Sequence, residues 1–315
     1  MTKDAVQRRT PRGHPTFYEV VKSSAMTNNE GPIGIFDSGI GGLTVLKEVL
    51  KMLPSEDTLY LGDTARLPYG TKSEETVIKY SIENTRFLLK YDIKLLIVAC
   101  NTASAVSLPV LRKQFSIPIV GVIEAGARAA VRATKNGKVG IIGTDTTISS
   151  SAYTKAIKSV SPDIDTTGQP CPLFVPLVEE GWIDDDITLS VAERYLGPLK
   201  NKDIDTLVLG CTHYPLLKGV IQKVMGSGVT LIDSAEETAI EVKDVLTQLI
   251  PNPTLPPFNK GAGLPLLRSI ATGRGGLKVP IRRFFVTDVP RRFEEQGSRF
   301  LGEKIAKIEK IDLIL

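Results

Sequence analysis

Two segments of the chain each lead to a cysteine and read as copies of each other. The first runs from Asp92 to Thr102 (Asp-Ile-Lys-Leu-Leu-Ile-Val-Ala-Cys-Asn-Thr) and the second from Asp203 to His213 (Asp-Ile-Asp-Thr-Leu-Val-Leu-Gly-Cys-Thr-His). Both the aspartates and the cysteines, Cys100 and Cys211, are separated by 111 positions, so one alignment without gaps joins the segments. A continuous apolar stretch between polar residues is typical of a strand buried on both faces. Each cysteine would then lie at the carboxyl end of a strand, where open α/β sheets place their ligands.

Two half-domains of this kind, facing each other, would bring the two thiols to opposite sides of one cleft. The chemistry that needs such a pair is proton exchange at a carbon stereocentre, in which a thiolate deprotonates one face and a thiol protonates the other. An amino-acid α-hydrogen is far less acidic than a thiol, so the site must desolvate the substrate and stabilise a carbanionic transition state with fixed donors. Nearby acids or bases must also tune each thiol. Asp37, Glu179 and His213 are the candidates for this role.

Other interpretations of the cysteines have less support. A single buried cysteine at a strand end is most often structural, and we interpret Cys171, which lies between two prolines and has no copy, in that way. A metal site would have only His213 and two distant thiols, because the other histidine, His14, lies near the N-terminus. Three cysteines without regular spacing indicate reduced thiols and a cytoplasmic protein. A disulfide is not expected in that compartment.

A glycine-rich turn at residues 37–42 (Asp-Ser-Gly-Ile-Gly-Gly) follows the first apolar strand and leads into a predicted helix over 43–50. Backbone amides in such a turn, together with a helix N-terminus, favour an anionic group. The spacing differs from the dinucleotide fingerprint and from the phosphate-binding loop, so a nucleotide site is not predicted. The alternative role for Asp37 is that of a simple helix cap.

Strands alternate with helices along the rest of the chain, which indicates an α/β fold with mostly parallel sheets. The Pro-Tyr-Gly corner at 68–70 either positions a phenol and an amide or is an ordinary turn. Residues 138–147 repeat the apolar strand, glycine and polar turn of the 33–42 segment. Residues 172–181 are predicted to be a strand or loop carrying Glu179 and Glu180, for which the alternative is a solvated helix end. Helices are predicted at 73–90, 235–250 and 290–302, and a last strand at 308–315.

Composition narrows the function classes. The 315 residues allow two domains of ordinary size, and 42% hydrophobic with 23% charged residues is typical of a soluble globular protein. The net charge of +4 tolerates an anionic small substrate but is too small to indicate nucleic-acid binding. No apolar stretch is long enough to span a membrane. Residues 1–30 are interpreted as a partly disordered extension, and residues 251–280 as a loop or disordered insertion.

Four motifs in order closely resemble the glutamate racemases, cofactor-independent enzymes that interconvert L- and D-glutamate and supply D-glutamate for bacterial peptidoglycan. They are Asp-Ser-Gly-Ile-Gly-Gly at 37–42, Gly-Asp and Pro-Tyr-Gly within 62–70, Ala-Cys-Asn-Thr-Ala-Ser at 99–104 and Gly-Cys-Thr-His-Tyr-Pro at 210–215. The resemblance implies two pseudo-symmetric doubly wound domains, with the active site in the cleft between them and no cofactor or metal. It also implies that a second domain, 126–232, is inserted into a first domain made of 31–125 and 233–315.

The resemblance further implies a role for each motif residue. Cys100 would be the acid/base group for the D-enantiomer and Cys211 that for the L-enantiomer, with Asp37, Glu179 and His213 as supporting acids and bases. Two threonines after the 138–143 strand would lend hydroxyls to a carboxylate. The full set of implied substrate contacts is Asp37, Ser38, Tyr69, Gly70, Asn101, Thr102, Thr144, Thr147, Thr212 and His213.

Regulation and assembly stay open at this level. The extension at 1–30 resembles those of family members activated by the peptidoglycan precursor UDP-N-acetylmuramoyl-alanine, although it carries no motif that transfers. Family members are often dimers, which implies a homodimer, and some inhibit DNA gyrase as a second role. Two alternatives for the function also stay open: an aspartate racemase of the same superfamily, and a non-catalytic relative that kept an anion-binding cleft.

Overall fold

The computed structural model describes residues 31–249, 279–305 and 307–313. The predicted extension at 1–30 and nearly all of the 251–280 insertion lie outside the described residues, as does the end of the strand predicted at 308–315. The interpretations of those segments stay predictions.

Ten strands alternate with eleven α-helices in the described residues. The strands are β1 (Ile33–Asp37), β2 (Thr58–Gly62), β3 (Leu95–Val98), β4 (Ile119–Gly121), β5 (Lys138–Gly143), β6 (Asp165–Pro170), β7 (Thr206–Gly210), β8 (Thr230–Asp233), β9 (Arg282–Val286) and β10 (Ile308–Lys310). The helices are α1 (Leu43–Met52), α2 (Glu74–Leu89), α3 (Asn101–Gln114), α4 (Val122–Ala133), α5 (Asp145–Ser149), α6 (Ala152–Val160), α7 (Phe174–Glu180), α8 (Asp186–Lys200), α9 (Lys218–Met225), α10 (Ser234–Leu249) and α11 (Pro290–Leu301).

The strands form two sheets, in which every described pairing is parallel. The first sheet has the order β10-β9-β2-β1-β3-β4 and takes strands from both ends of the described chain, whereas the second sheet has the order β6-β5-β7-β8. Every residue of β1, β3 and β7 is buried, as expected for parallel strands with helices on both faces. The predicted α/β fold with parallel sheets is confirmed. The domain boundaries around 126–232 stay a prediction.

The second sheet repeats the arrangement of the first. Strands β5 to β8 have the order β6-β5-β7-β8, which matches the order β2-β1-β3-β4 of the first four strands. The two cysteine-bearing strands, β3 and β7, therefore occupy corresponding places. Asp92 and Asp203, at the start of the copied segments, both have a left-handed φ, of 51° and 55°. Because few non-glycine residues adopt this conformation, the repeat extends to the local backbone.

Residues 172–181 differ from the prediction of a strand or loop, because residues 174–180 form helix α7. The helix accommodates Pro176 as its third residue, where a backbone N–H would have no partner inside the helix. The helix buries Phe174, Leu177 and Val178 and ends at Gly181, whose φ is 83°. The prediction of a strand or loop was wrong, whereas the alternative of a helix end agrees with the structure, since Glu179 lies in the last helical turn.

One of the three apolar clusters formed by the described residues spans both sheets. A single cluster of buried side chains extends from Ile35 and Leu43 in the first sheet and its helix to Leu209 and Tyr214 at the end of β7, and includes Phe300 of α11. Helices α4 and α10 connect the sheets and pack against each other. These contacts hold the carboxyl ends of β1, β3 and β7 near one another.

Candidate active site

Cys100 lies after β3 and is the N-cap residue of α3. Its sulfur accepts a hydrogen bond from the N–H of Ala103 at 3.5 Å, and its thiol donates to Ser38 Oγ at 3.7 Å. A helix N-terminus ordinarily favours a thiolate. Here burial, assisted by the negative charge of Asp37, outweighs that effect and raises the pKa of Cys100 to about 12. At neutral pH Cys100 is therefore a thiol that can donate a proton.

Cys211 directly follows β7, at the position that corresponds to Cys100. Its Sγ lies 3.8 Å from Nδ1 of His213, and Nε2 of His213 lies 3.2 Å from Oε1 of Glu179. Burial lowers the pKa of His213, but hydrogen bonds and negative charge from Cys211 and Glu179 outweigh it, and the net result is a pKa of about 10. His213 is therefore an imidazolium at neutral pH, which places a positive charge beside the Cys211 sulfur.

Asp37, at the end of β1, lies between the surroundings of the two cysteines. Its buried carboxylate accepts hydrogen bonds from the N–H of Gly39 at 2.8 Å and from the hydroxyl of Thr212 at 3.5 Å. Burial raises the pKa of Asp37, while the positive charge of His213 acts in the opposite direction. The glycine turn packs closely on this region, since a Cβ at Gly41 would lie 2.5 Å from Nδ1 of His213.

Three threonine hydroxyls meet where α3 contacts the beginning of α5. Thr102 Oγ1 lies 2.9 Å from that of Thr144 and 3.3 Å from that of Thr147, and the last two are 3.0 Å apart. A hydroxyl both donates and accepts hydrogen bonds, so the group can rotate its protons toward a carboxylate. One threonine comes from the first sheet's helix and two follow β5, so a ligand held here would contact both copies of the repeat.

Asn101 carries a buried amide nitrogen that makes no hydrogen bond within the part of the chain that the structure describes. Its Oδ1 accepts a hydrogen bond from the hydroxyl of Tyr153 at 2.7 Å, and the residue is buried. Its Nδ2 is the one buried side-chain nitrogen without a hydrogen-bond partner among the described residues. Because buried donors are nearly always paired in native proteins, this amide is suited to bind a ligand oxygen.

The Pro-Tyr-Gly corner lies against the threonine group. A Cβ at Gly70 would lie 2.6 Å from Cβ of Thr144, and the Gly70 carbonyl accepts a hydrogen bond from the Thr146 hydroxyl at 3.0 Å. The hydroxyl of Tyr69 is held in a buried network, because it donates to Asp63 and accepts from Asn84 Nδ2 at 3.1 Å. The corner therefore supplies close backbone packing, while the phenol hydroxyl is already engaged with the protein.

The structure thus brings the predicted site residues together around the carboxyl ends of β1, β3, β5 and β7, with the Tyr69 hydroxyl engaged elsewhere. Three residues that contact this group were not predicted, namely Tyr153 beside Asn101, Gln296 beside Glu179 and Phe300 beside His213. None of the three lies in a motif. Their positions depend on contacts between distant parts of the chain, so sequence spacing gives no signal for them.

All three cysteines are buried and free. In residues 31–249, 279–305 and 307–313 no group of three or more His, Cys, Asp or Glu side chains is placed to hold a metal ion. A search of the same residues for membrane-spanning helices finds none of sufficient length and apolarity.

Comparisons with known proteins find relatives over most of the chain. Residues 33–242 match the family model described as Asp/Glu/Hydantoin racemase. The chain is 53% identical over 281 residues to a glutamate racemase of Geobacter metallireducens, covering 89% of this chain and 96% of the relative.

Solved structures of glutamate racemases are similar over comparable lengths. The Francisella tularensis enzyme in complex with D-glutamate has a TM-score of 0.78 and 37% identity, covering 90% of this chain and 98% of that chain. The Escherichia coli enzyme in complex with L-glutamate and the activator UDP-MurNAc-Ala has a TM-score of 0.66 and 29% identity, covering 89% and 98%.

Proposed function

The chain belongs to the Asp/Glu/hydantoin racemase family, and we propose that it interconverts L- and D-glutamate with Cys100 and Cys211 as its two acid/base groups. The observation that carries the two-thiol assignment is the correspondence of two buried cysteines at the ends of equivalent strands in a repeated fold. Relatives that are glutamate racemases cover nearly the whole chain, which favours glutamate over the aspartate alternative. D-Glutamate formed in this way would serve peptidoglycan synthesis, the role of the family.

The two cysteines differ in a way that suits one direction of the reaction. Protonated His213 offers a positive charge to an anionic Cys211 sulfur, whereas burial keeps Cys100 protonated. With L-glutamate bound, Cys211 as thiolate takes the α-hydrogen as a proton, and the electron pair of the broken C–H bond stays on the carbon. The Cys100 thiol then gives its proton to the opposite face. The products are D-glutamate, a Cys211 thiol and a Cys100 thiolate.

Starting from D-glutamate, the same groups act in reverse order. The Cys100 thiolate removes the α-proton, and the Cys211 thiol protonates the other face. Both steps are proton transfers between sulfur and carbon, and the protein must lower their barrier by fixed donors around the developing carbanion. Asn101 Nδ2 and the hydroxyls of Thr102, Thr144 and Thr147 are suitable donors to the substrate carboxylates.

The remaining partners belong to the same proposal. The Escherichia coli relative binds UDP-MurNAc-Ala as an activator, and we propose that a precursor of this class also activates the present enzyme. Adding it to the racemisation assay tests this point, and an unchanged rate would contradict it. A homodimer and a cytoplasmic location stay predictions.

The test is circular-dichroism progress curves with L-glutamate and D-glutamate. Both curves should reach zero ellipticity, because enantiomers have equal free energy in water. Cys100→Ala and Cys211→Ala should each abolish the reaction, while Cys171→Ala, which removes a third buried thiol, should retain it. If the wild-type enzyme shows no change with glutamate, with or without the precursor, but racemises aspartate, the substrate assignment is wrong. If it racemises neither, the cleft binds without catalysing.

A further inference from the structure

Helix α11 reaches from the first sheet to the acid/base pair beside Cys211. Gln296 Nε2 donates a hydrogen bond to the backbone carbonyl of Glu179 at 2.8 Å. The ring of Phe300 makes a T-shaped contact with the imidazole of His213, with ring centroids 5.3 Å apart. The two α11 residues are four positions apart and thus lie on the same helix face. One face of this helix therefore contacts both members of the His213–Glu179 pair.

Glu179 has few other restraints. It lies in the last turn of α7, where backbone carbonyls lack partners within the helix. In the described part of the chain, the hydrogen-bond partner of its carboxylate is His213 alone. Beside it lies a cavity of about 230 Å³, lined among others by Ile40, Phe293 and Gln296. This side of Glu179 faces the cavity, where the hydrogen bond from Gln296 holds the Glu179 backbone.

We propose that Gln296 and Phe300 are positioning residues that hold Glu179 and His213 in register with Cys211. Gln296 satisfies a helix-end carbonyl and so fixes the last turn of α7, which carries the Glu179 side chain. Phe300 limits the rotation of the imidazole ring. This inference rests on the proposed function, since it assigns α11 a part in the half-reaction at Cys211.

The distance between His213 and Glu179 makes their hydrogen bond sensitive to the contacts of Gln296 and Phe300. The His213–Glu179 distance of 3.2 Å is already at the long end for a hydrogen bond, and a displacement of about 1 Å would break it. Misplacement on this scale can reduce the rate of an enzyme by about a hundredfold. Loss of the α11 contacts should therefore act on catalysis through His213, with the substrate contacts of Asn101 and the threonines left in place.

The test uses the small number of histidines in the chain, which are His14 and His213. In protein labelled with ¹⁵N-histidine, the titration of His213 can be followed by NMR, with His14 as an internal reference. Gln296→Met keeps the length of the side chain but removes the donor. Gln222→Met is the matched control, since Gln222 also donates to backbone carbonyls, those of Gly226 and Val229, at the end of α9. Glu179→Gln shows the titration when the carboxylate is absent.

We expect the His213 midpoint to fall by about one pH unit in Gln296→Met, toward that of Glu179→Gln, and to stay unchanged in Gln222→Met. The rate of racemisation should fall about tenfold or more in Gln296→Met. Phe300→Leu provides a second variant if Gln296→Met does not fold, and should also lower the midpoint. A wild-type midpoint in the folded α11 variants, with a shifted one in Glu179→Gln, would overturn the inference. This readout does not depend on turnover, so it is distinct from failure of the racemase assignment.

Discussion

The two cysteines occupy equivalent places in the fold but have unlike neighbours. Cys100 caps a helix and lies near the buried carboxyl group of Asp37. The pKa of Cys100 is raised mainly by its own burial and further by the negative charge of Asp37. Cys211 instead lies beside an imidazole whose other nitrogen faces Glu179. The resting site therefore pairs a neutral thiol with a sulfur that has a cation beside it. In the proposed mechanism this is the protonation state that accepts L-glutamate, and one turnover reverses it.

Glu179→Gln should shift the alkaline limit of the reaction. Glu179 is one of the groups that raise the pKa of His213 to about 10, so the protonated imidazole is present below that pH and is lost above it. Without the carboxylate the pKa falls, and the decline in kcat/KM with rising pH should begin at lower pH. The dependence of kcat/KM on pH is measured from neutral pH to above the His213 pKa, for the reaction from L- to D-glutamate and for the reverse reaction. Because the equilibrium constant is one, both directions must give the same kcat/KM. An alkaline limit that stays at its wild-type position would show that Glu179 does not act through His213.

At the scale of elements, two glycines allow segments of the first sheet to lie close to segments that follow strands of the second sheet. Gly41 leaves room for His213, and Gly70 leaves room for Thr144, although each pair is far apart in sequence. Neither glycine has a positive φ. Their role is therefore to allow close contact between elements rather than to permit an unusual φ.

Gly41→Ala should displace the imidazole and the Thr212 hydroxyl and reduce kcat/KM by about a hundredfold, since the added methyl would overlap Oγ1 of Thr212 as well as Nδ1 and Cε1 of His213. Gly219→Ala in α9 is the control, because a Cβ there meets no atom within 4 Å. The control should keep full activity and gain about 0.5–1 kcal/mol of stability, as expected for alanine in a helix. Racemisation rates and urea unfolding of both variants measure this. Full activity in Gly41→Ala would mean that the turn does not fix His213.

Much of this arrangement follows from sequence because it depends on patterns along a single segment. The apolar strands, the 111-residue repeat and the helices expected at 73–90 and 290–302 predict most elements and the position of both cysteines. Strand β6, with the sequence Asp-Thr-Thr-Gly-Gln-Pro, was not predicted. It lies at the edge of the second sheet and has no fully buried residue, so it lacks the apolar signal of the inner strands.

The remaining differences arise from contacts that no local pattern encodes. Residues 172–181 were predicted to be a strand or loop, whereas residues 174–180 form α7, with Pro176 in the first turn, where proline is tolerated. Tyr69 was implied as a substrate contact, which stays a prediction, and its hydroxyl is engaged by Asp63 and Asn84. The contacts of Gln296 and Phe300 join segments more than 80 residues apart. Their identity depends on the assembled fold.

At the scale of the whole molecule, the site places several titratable groups in a buried position, so its chemistry is linked to folding. His213 binds its proton more tightly in the folded state, with a pKa raised from the usual 6.5 to about 10. Its contribution to stability is complete below pH 6.5 and is lost as the pH rises through about 10. The raised pKa of Cys100 acts in the same direction, because this thiol ionises from pH 9.0 in the unfolded chain but only at about pH 12 in the folded state.

We therefore expect the urea concentration at the midpoint of unfolding to decrease as the pH is raised from neutral to the pKa of His213. His213→Gln removes the contribution, so this variant should be less stable than wild type at neutral pH, and the difference should shrink as the pH rises. Urea denaturation of both proteins at the two pH values checks this. A stability difference that is independent of pH would show that His213 is not held as an imidazolium.

The most direct test of the two-thiol account is the fate of the α-hydrogen in heavy water. In the first part of the reaction from L-glutamate, Cys100 delivers a solvent-derived deuteron, so D-glutamate should carry α-deuterium while the remaining L-glutamate keeps its α-protium. The pattern should be mirrored when D-glutamate is the starting enantiomer. ¹H NMR after separation of the enantiomers gives both quantities. Deuterium that enters the unreacted enantiomer as fast as the product forms, or a product that retains the original hydrogen, would indicate a single base and contradict the account.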